Sequence, residues 1–484
     1  MAQCIALIAT PRGRAAGPLA AALLAGSLAL APLAASARPD PGILPASQAP
    51  PSGLQSCPAL AGAAGTVFAA WSDGRDGTLV RIYWTHFTEG PPDSLAAPVT
   101  LGAACELHAA VAADSGWALA VWESWTAEGT RLAAAELDAA SAPAPREAVF
   151  VTANPGPVRR PAAAALREQG LLVWEDERVK PGDLYFARWE RGSGLRDPGG
   201  LPLATGPGFR SWARATASGA GFLVVWSETT DGLIHKVVSC PVTQDGFPAG
   251  VPRVISRDLE APTEADATAV GARWLVVWRE PGNGGSDLVA RFLGPDGVPL
   301  GEGAFPVSSS PGFEYGPRLQ GFGVGACLLW FDQDAAGRGI RRAWIDEGGA
   351  VHPAGGALLT DPADDVADMA LAVRGAEALA AWRLPLPLDD DDLYAGVFPA
   401  ADTVVIPTPV PFTLVREVSG APAPAAASRL PPRAYPNPFR HGVRLDLGSD
   451  RASQELLILD IAGRRVRRLG LPAGAAAAFW DGRT

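Results

Sequence analysis

The stretch GFLVVWSETTDG (Gly221–Gly232) joins an unbroken apolar run to a tryptophan and then to a polar loop. Its core returns along the chain as TVFAAWSDG, WALAVWES, GLLVWED, RWLVVWRE, ACLLWFD and ALAAWRL. The tryptophans that end these phrases are Trp71, Trp122, Trp174, Trp226, Trp278, Trp330 and Trp382, spaced by one interval of 51 residues and then five of 52. A fixed period of this length marks one supersecondary unit used repeatedly. Around Trp226 the unit reads RSWARATA, a GAG turn, FLVVW, the loop SETTDG, LIHKVVS, a QDG turn and VPRVIS, which is four short strands and three turns. DLYFARW, DLVARFL and DLYAGVF fill the third-strand slot elsewhere. No window holds a sustained 3.6 period with caps, which excludes helical repeats. A strand such as FLVVW needs cover on both faces, and in a β-propeller the neighbouring blades supply it. The expected fold is therefore all-β: a seven-bladed β-propeller of four-stranded blades, about 52 residues each, over residues 51–417. The run TVVIPTPVPFTLV (Thr403–Val415) and the residues just before Cys57 are the two candidates for its closing strand.

The chain has 484 residues, 48% hydrophobic and 19% charged, a globular composition. Arg12 and Arg14 precede an apolar run from Ala15 to Leu33, and Ala35-Ser36-Ala37 follows, which reads as a secretory signal over residues 1–37 and then a linker over 38–50. The expected location is secreted or at the cell surface, with no transmembrane segment after cleavage. Cleavage would take the formal charge from −11 to −13. Nucleic acid is excluded as a partner, because phosphate binding needs clustered positive charge. The cysteines beyond the signal are Cys57, Cys105, Cys240 and Cys327, without CxxC spacing; export permits a disulfide, and Cys57 with Cys105 is the pair to test.

WSDGRDG (Trp71–Gly77), WEDER at Trp174 and the recurring LVVW resemble a group of secreted bacterial propeller proteins built on an LVVW-x-D-x-R repeat. That resemblance implies architecture over about three quarters of the chain and is silent on activity. The later units depart from it: Trp330 is followed by FDQDAAGRG and Trp382 by RLPLPLDDDD. After a Pro/Ala linker (418–432), YPNPF (Tyr435–Phe439), LDIAGRRVRRL (Leu459–Leu469), LPAG (Leu471–Gly474) and WDGR (Trp480–Arg483) resemble the Ig-like tail of type IX secretion sorting domains and of flagellar-hook-capping proteins. The resemblance implies an Ig-like β-sandwich over 433–484 that engages export machinery. The pattern stops at Thr484, short of two further strands, so the tail reads as truncated.

Fourteen residues before the seven tryptophans stand Cys57, His108, Arg160, Trp212, Glu264, Gly316 and Asp368. The frame repeats and the chemistry does not, so this ring, with Arg159 and Tyr315 beside it, is the candidate ligand site. The plain alternative is a set of unrelated loop residues. Repeated acids follow the tryptophans: Asp73, Glu123, Asp176, Glu228, Glu280 and Asp332. Their repetition points to a structural role in each unit, through loop N–H groups or arginines such as Arg75 and Arg178, rather than to a calcium ring. Asp389–Asp392 and the loop after Asp332 are weak calcium suggestions, and no metal site or cofactor is expected. GxSxG, HExxH and P-loop signatures are absent, and GNGGSD (Gly282–Asp287) is a turn.

The first expectation is a secreted, non-catalytic propeller, not an enzyme, that binds a glycan or protein on one face. The alternative is a carbohydrate-active, glycoside-hydrolase-like enzyme using carboxylates at the same mouth, with Glu264 and Asp368 the first pair to change. A purely structural surface protein is the third reading.

Overall fold

The computed structural model describes Leu7–Pro11, residues 55–401 apart from short stretches between strands, Val410–Pro411 and five short segments between 433 and 480. Among these residues the fold is all-β, without an α-helix. Two compact units are distinguished, a large one spanning 41–417 and a small one made of residues near the N-terminus and 418–484.

The large unit is a β-propeller. The unit around Trp226 runs as read from its sequence: Phe209–Ser218, Gly221–Thr229, His235–Val242 and Arg253–Val254 pair in that order as an antiparallel sheet. Five blades stand as separate sheets, which corrects the expectation of seven. The fifth and sixth sequence units are joined in one eight-stranded sheet through a parallel pairing of Ser286 with Phe313. The physical cause is Gly285. A Cβ there would lie 1.6 Å from the Gly312 carbonyl oxygen, so only glycine lets the two backbones close to bonding distance. Ser286 N–H then donates to Gly312 O at 3.0 Å. The sequence reading took GNGGSD for a turn alone; Gly282 does pair with Gly285 across that turn, and the approach to the next unit is its second use.

The apolar side chains form seven clusters, each lying between successive units. One of them joins the first unit, through Leu60, Val67 and Trp71, to the last, through Ala370, Leu379 and Ala381, and so closes the ring. The last sheet takes its outer strand, Val410–Pro411, from the C-terminal side of the chain, paired with Asp392–Pro399. The closing strand therefore comes from the run after Asp402, and Gln55–Ala63 pairs within its own unit.

In the small unit Arg433–Tyr435, Val443–Asp446 and Ala477–Trp480 form one sheet. Gln454–Leu459 pairs with Arg465–Leu471, and Leu7–Pro11 adds to its other edge. Much of 433–484 and the apolar run 15–33 lie outside the described residues.

Candidate functional site

The first strand of every unit lines a central cavity of about 870 Å³. Its walls are small and apolar, with Ala109, Ala110, Ala112 and Ala113 from the second unit and Ala162 to Ala165 from the third. Charged groups collect on it at defined points: His108, Glu123, Arg159, Arg160, Arg214, Asp266, Arg318 and Asp368.

The positions fourteen residues before the tryptophans share a backbone state. Cys57, His108, Arg160, Trp212, Gly316 and Asp368 have φ between 45° and 62°, the left-handed region. Each stands at a register shift between the first and second strands, as between Ser56 and Ala59, Leu107 and Ala110, or Ser211 and Arg214. A bulge of this kind leaves one residue unpaired and re-aims its side chain. Only Gly316 is free of the Cβ penalty; the five other residues each cost about 1 kcal/mol or more in this conformation. Over five positions that approaches the net stability of an ordinary domain, so surrounding bonds must hold the ring in place. Glu264 is the exception, since its strand (Ala265–Val270) pairs without a shift.

Those bonds run from unit to unit. Glu123 Oε1 accepts the Arg160 N–H at 2.8 Å, Glu175 Oε1 accepts the Trp212 N–H at 2.8 Å, and Asp368 Oδ2 accepts the Cys57 N–H at 3.2 Å. Glu123 and Glu175 directly follow their tryptophans, so strand alternation turns them to the opposite face from the indole. Acids two residues after a tryptophan share its face and take its N–H: Trp71 donates to Asp73 at 3.0 Å, Trp174 to Asp176 at 2.9 Å, Trp226 to Glu228 at 2.9 Å and Trp278 to Glu280 at 3.0 Å. The repeated acids thus divide by one residue of offset into blade acids and ring acids. Arg178 pairs with Asp176, and Arg341 with Asp332, whereas Arg75 lies outside the described residues.

The third and fourth units build one network. Arg159 Nε donates to Glu175 Oε2 at 3.0 Å, Arg160 Nη1 reaches the same oxygen at 3.0 Å, and the Arg160 guanidinium lies 4.0 Å over the Trp212 ring. Arg159, Arg160 and Trp212 are therefore brought together. In the second unit His108 Nδ1 lies 3.1 Å from Glu123 Oε2. The influence of the Cys57 side chain first, and then of Glu123, raises the His108 pKa to about 10 against the opposing effect of burial. Asp368 accepts from Arg383 Nε at 2.8 Å. The ring members Glu264 and Tyr315 do not line the cavity. Glu264 Oε2 would lie 3.2 Å from a Cβ built on Gly316, and the Tyr315 ring packs on Phe331 at 5.3 Å between centroids.

Sequence reasoning missed three charged groups deeper in the cavity: Arg214, Asp266 and Arg318. Each stands two residues beyond its ring position, the next residue along the strand to face the axis. Asp266 Oδ2 accepts the Leu319 N–H at 2.8 Å and Oδ1 accepts the Ala267 N–H at 2.9 Å. Burial pushes the Asp266 carboxyl above the usual range, outweighing Arg214 and Arg318, which pull it down. Burial, reinforced by Arg318, lowers the Arg214 guanidinium to about 10.

Cys57 and Cys105 are free thiols, which corrects the proposed pair. Among the described residues no group of three or more His, Cys, Asp or Glu is placed to hold a metal, and Asp389 to Asp391 lie outside them. No helix among the described residues is long and apolar enough to cross a membrane.

No known protein family matches the chain, and no curated protein does. Solved structures similar in backbone include a prolyl endopeptidase, at 12% identity and a TM-score of 0.47 over 85% of this chain and 54% of that one. A thermostable family-43 glycoside hydrolase is similar at 11% identity and a TM-score of 0.35, over 56% of this chain and 96% of that one. Trypanosoma rangeli sialidase is similar at 8% identity and a TM-score of 0.38, over 71% of this chain and 54% of that one. The chain thus spans about half the length of the endopeptidase. All three are enzymes by name, against the expectation of a non-catalytic scaffold and of no enzymatic activity. A likeness of this depth concerns the fold; which chemistry the cavity performs has to be argued from its own residues.

Proposed function

We propose that this protein is a carbohydrate-active hydrolase whose reaction takes place in the propeller cavity, with Asp266 and Asp368 as the working carboxylates. One observation carries the reading: two carboxylates face the same cavity from different environments. Burial holds the Asp266 carboxyl toward its protonated form, whereas Asp368 is half-buried and ion-paired with Arg383. Hydrolysis of a glycosidic bond needs such a division: one acid protonates the leaving oxygen, and one carboxylate activates water or attacks the anomeric carbon. Arg214 and Arg318, beside Asp266, supply fixed donors for sugar hydroxyls or an acidic substituent. Glu264, the partner first assigned to Asp368, gives way to Asp266 because its side chain does not line the cavity.

Export belongs to the same proposal. It rests on the charged-then-apolar pattern of residues 1–37 and on the motifs of 433–484, which support an Ig-like sorting and attachment role. The test is turnover of a panel of glycans by the purified chain, compared with Asp266→Asn and Asp368→Asn. Loss of turnover by at least about a hundredfold in each variant, with an unchanged melting temperature, is the expected result. Absence of turnover on every glycan, or full activity in both variants, would overturn it.

A further inference from the structure

The inner strands carry a second address, two residues beyond the left-handed ring. In four units it holds alanine: Ala59, Ala110, Ala162 and Ala370, all on the cavity wall. In three successive units it holds Arg214, Asp266 and Arg318, each 52 residues after the last. The strand register puts these three at one depth. Arg214 pairs with Val225, Asp266 with Val277 and Arg318 with Leu329, in every case the residue before a repeated tryptophan. The charges therefore form one arc, and the other four units present alanine at the same level. We propose that this arc binds the carboxylate of an acidic glycan, with Arg214 and Arg318 as the clamping groups. It rests on the glycan reading above for the sugar and on the two guanidiniums for the acid.

What singles out the arc is how its charges are matched. Elsewhere on the cavity wall the charged side chains have ion-pair partners: His108 with Glu123, Arg159 and Arg160 with Glu175, and Asp368 with Arg383. Within the arc the one carboxylate is already engaged. Both Asp266 oxygens accept backbone N–H groups, from Leu319 at 2.8 Å and from Ala267 at 2.9 Å. Arg318 donates from Nη1 to the Pro317 carbonyl oxygen at 2.9 Å, which leaves the rest of its fork open. Arg214 has no hydrogen bond or ion pair among the described residues.

A guanidinium carries five N–H donors in a planar fork that fits the two oxygens of a carboxylate. Donors withdrawn from bulk water without an acceptor cost free energy, and burial, reinforced by Arg318, already brings Arg214 down to about 10. A ligand carboxylate supplies the acceptors and offsets the like charges together. The alanine side of the same level leaves an apolar surface for the C–H faces of the sugar ring. This unmatched positive charge is set inside a chain of net charge −11, so it acts on an anion at the cavity and not over the surface at large.

Two measurements on the full chain test this. In the first, calorimetric titration compares hexagalacturonate, a hyaluronan hexasaccharide and sialyllactose, each with its own methyl ester, which keeps the sugar and removes the charge. At least one acid is expected to bind about tenfold or more tightly than its ester, and Arg214→Gln and Arg318→Gln should each abolish most of that preference. In the second, phenylglyoxal modification of wild-type arginines is mapped by peptide mass. Arg214 should react, and the bound acid should slow that reaction at least about tenfold while the ester does not. Arg253, exposed on the outer strand of the same unit, is the internal control.

No binding by any of the acids, equal affinity for acid and ester throughout, or a preference that survives both substitutions would overturn the proposal. So would a reaction at Arg214 that no acid slows. The two readings separate: acids held by the arginines but never cleaved would remove the hydrolase and leave this site. Cleavage of neutral glycans without preference for an acid would do the reverse. The protection measurement uses wild type alone, so it stands even if a variant fails to fold.

Discussion

At the scale of single residues, the tryptophan that ends each apolar run combines two needs of a blade. Its body fills the space between neighbouring sheets, and its N–H requires an acceptor once water is excluded. Trp226 is fully buried and meets that need through Glu228. Trp226→Ala should therefore cost about 3–5 kcal/mol, read by chemical denaturation; a loss under about 1 kcal/mol would contradict the packing role. Trp122 and Trp330 share the burial, but among the described residues their N–H groups have no acceptor, because Ser124 stands in the acid slot of one and Arg341 occupies the acid of the other. His108 carries a separate expectation. Its pKa in the folded chain is raised to about 10, so its stabilising contribution is complete below about pH 6.5 and is lost as pH rises toward 10. The melting-temperature advantage of wild type over His108→Asn should shrink across that window and not below it.

At the scale of the element, the inner strand is where sequence and structure part. The tryptophan period, the order of four strands and the fourteen-residue frame were all legible, because each repeats. The left-handed state of the frame position was not. Glycine marks it once, at Gly316, and the other units place cysteine, histidine, arginine, tryptophan or aspartate there, none of which announces a positive φ. The bond from the Arg160 N–H to Glu123 was hidden for a related reason: the two are 37 residues apart, and reading each unit by itself does not reveal which residues meet across units. Glu175 was passed over because it stands one residue from the repeated acid Asp176, and in a strand one residue changes the face. Turns were plainer. Ala64 and Gly65 form the two-residue turn between Ala63 and Thr66, both at positive φ, 48° and 82°. Ala64 is exposed, so Ala64→Gly should stabilise by about 1 kcal/mol in a denaturant titration, through relief of backbone strain alone.

At the scale of the whole molecule, the ring is closed by packing between its first and last units rather than by a shared strand. Gly62 lies on that seam, where a Cβ would come within 2.0 Å of the Val373 carbonyl oxygen. Gly62→Val should force the two inner strands apart and destabilise by about 1–3 kcal/mol, the usual range for overpacking, with faster amide exchange at the seam than elsewhere. The left-handed ring has a consequence of another kind. Its members occupy one address in six of the seven units, and at Cys57, Arg160 and Trp212 the bond that holds them runs to the backbone N–H, whatever the side chain is. Exchanging them rewrites the interior of the cavity while every core cluster keeps its composition. The set of residues that fold well at such an address is short: glycine, asparagine, aspartate and histidine. A library confined to those few codons, one per unit, would sample new specificities on an unaltered frame, so this architecture behaves as a cassette in which recognition is written separately from folding.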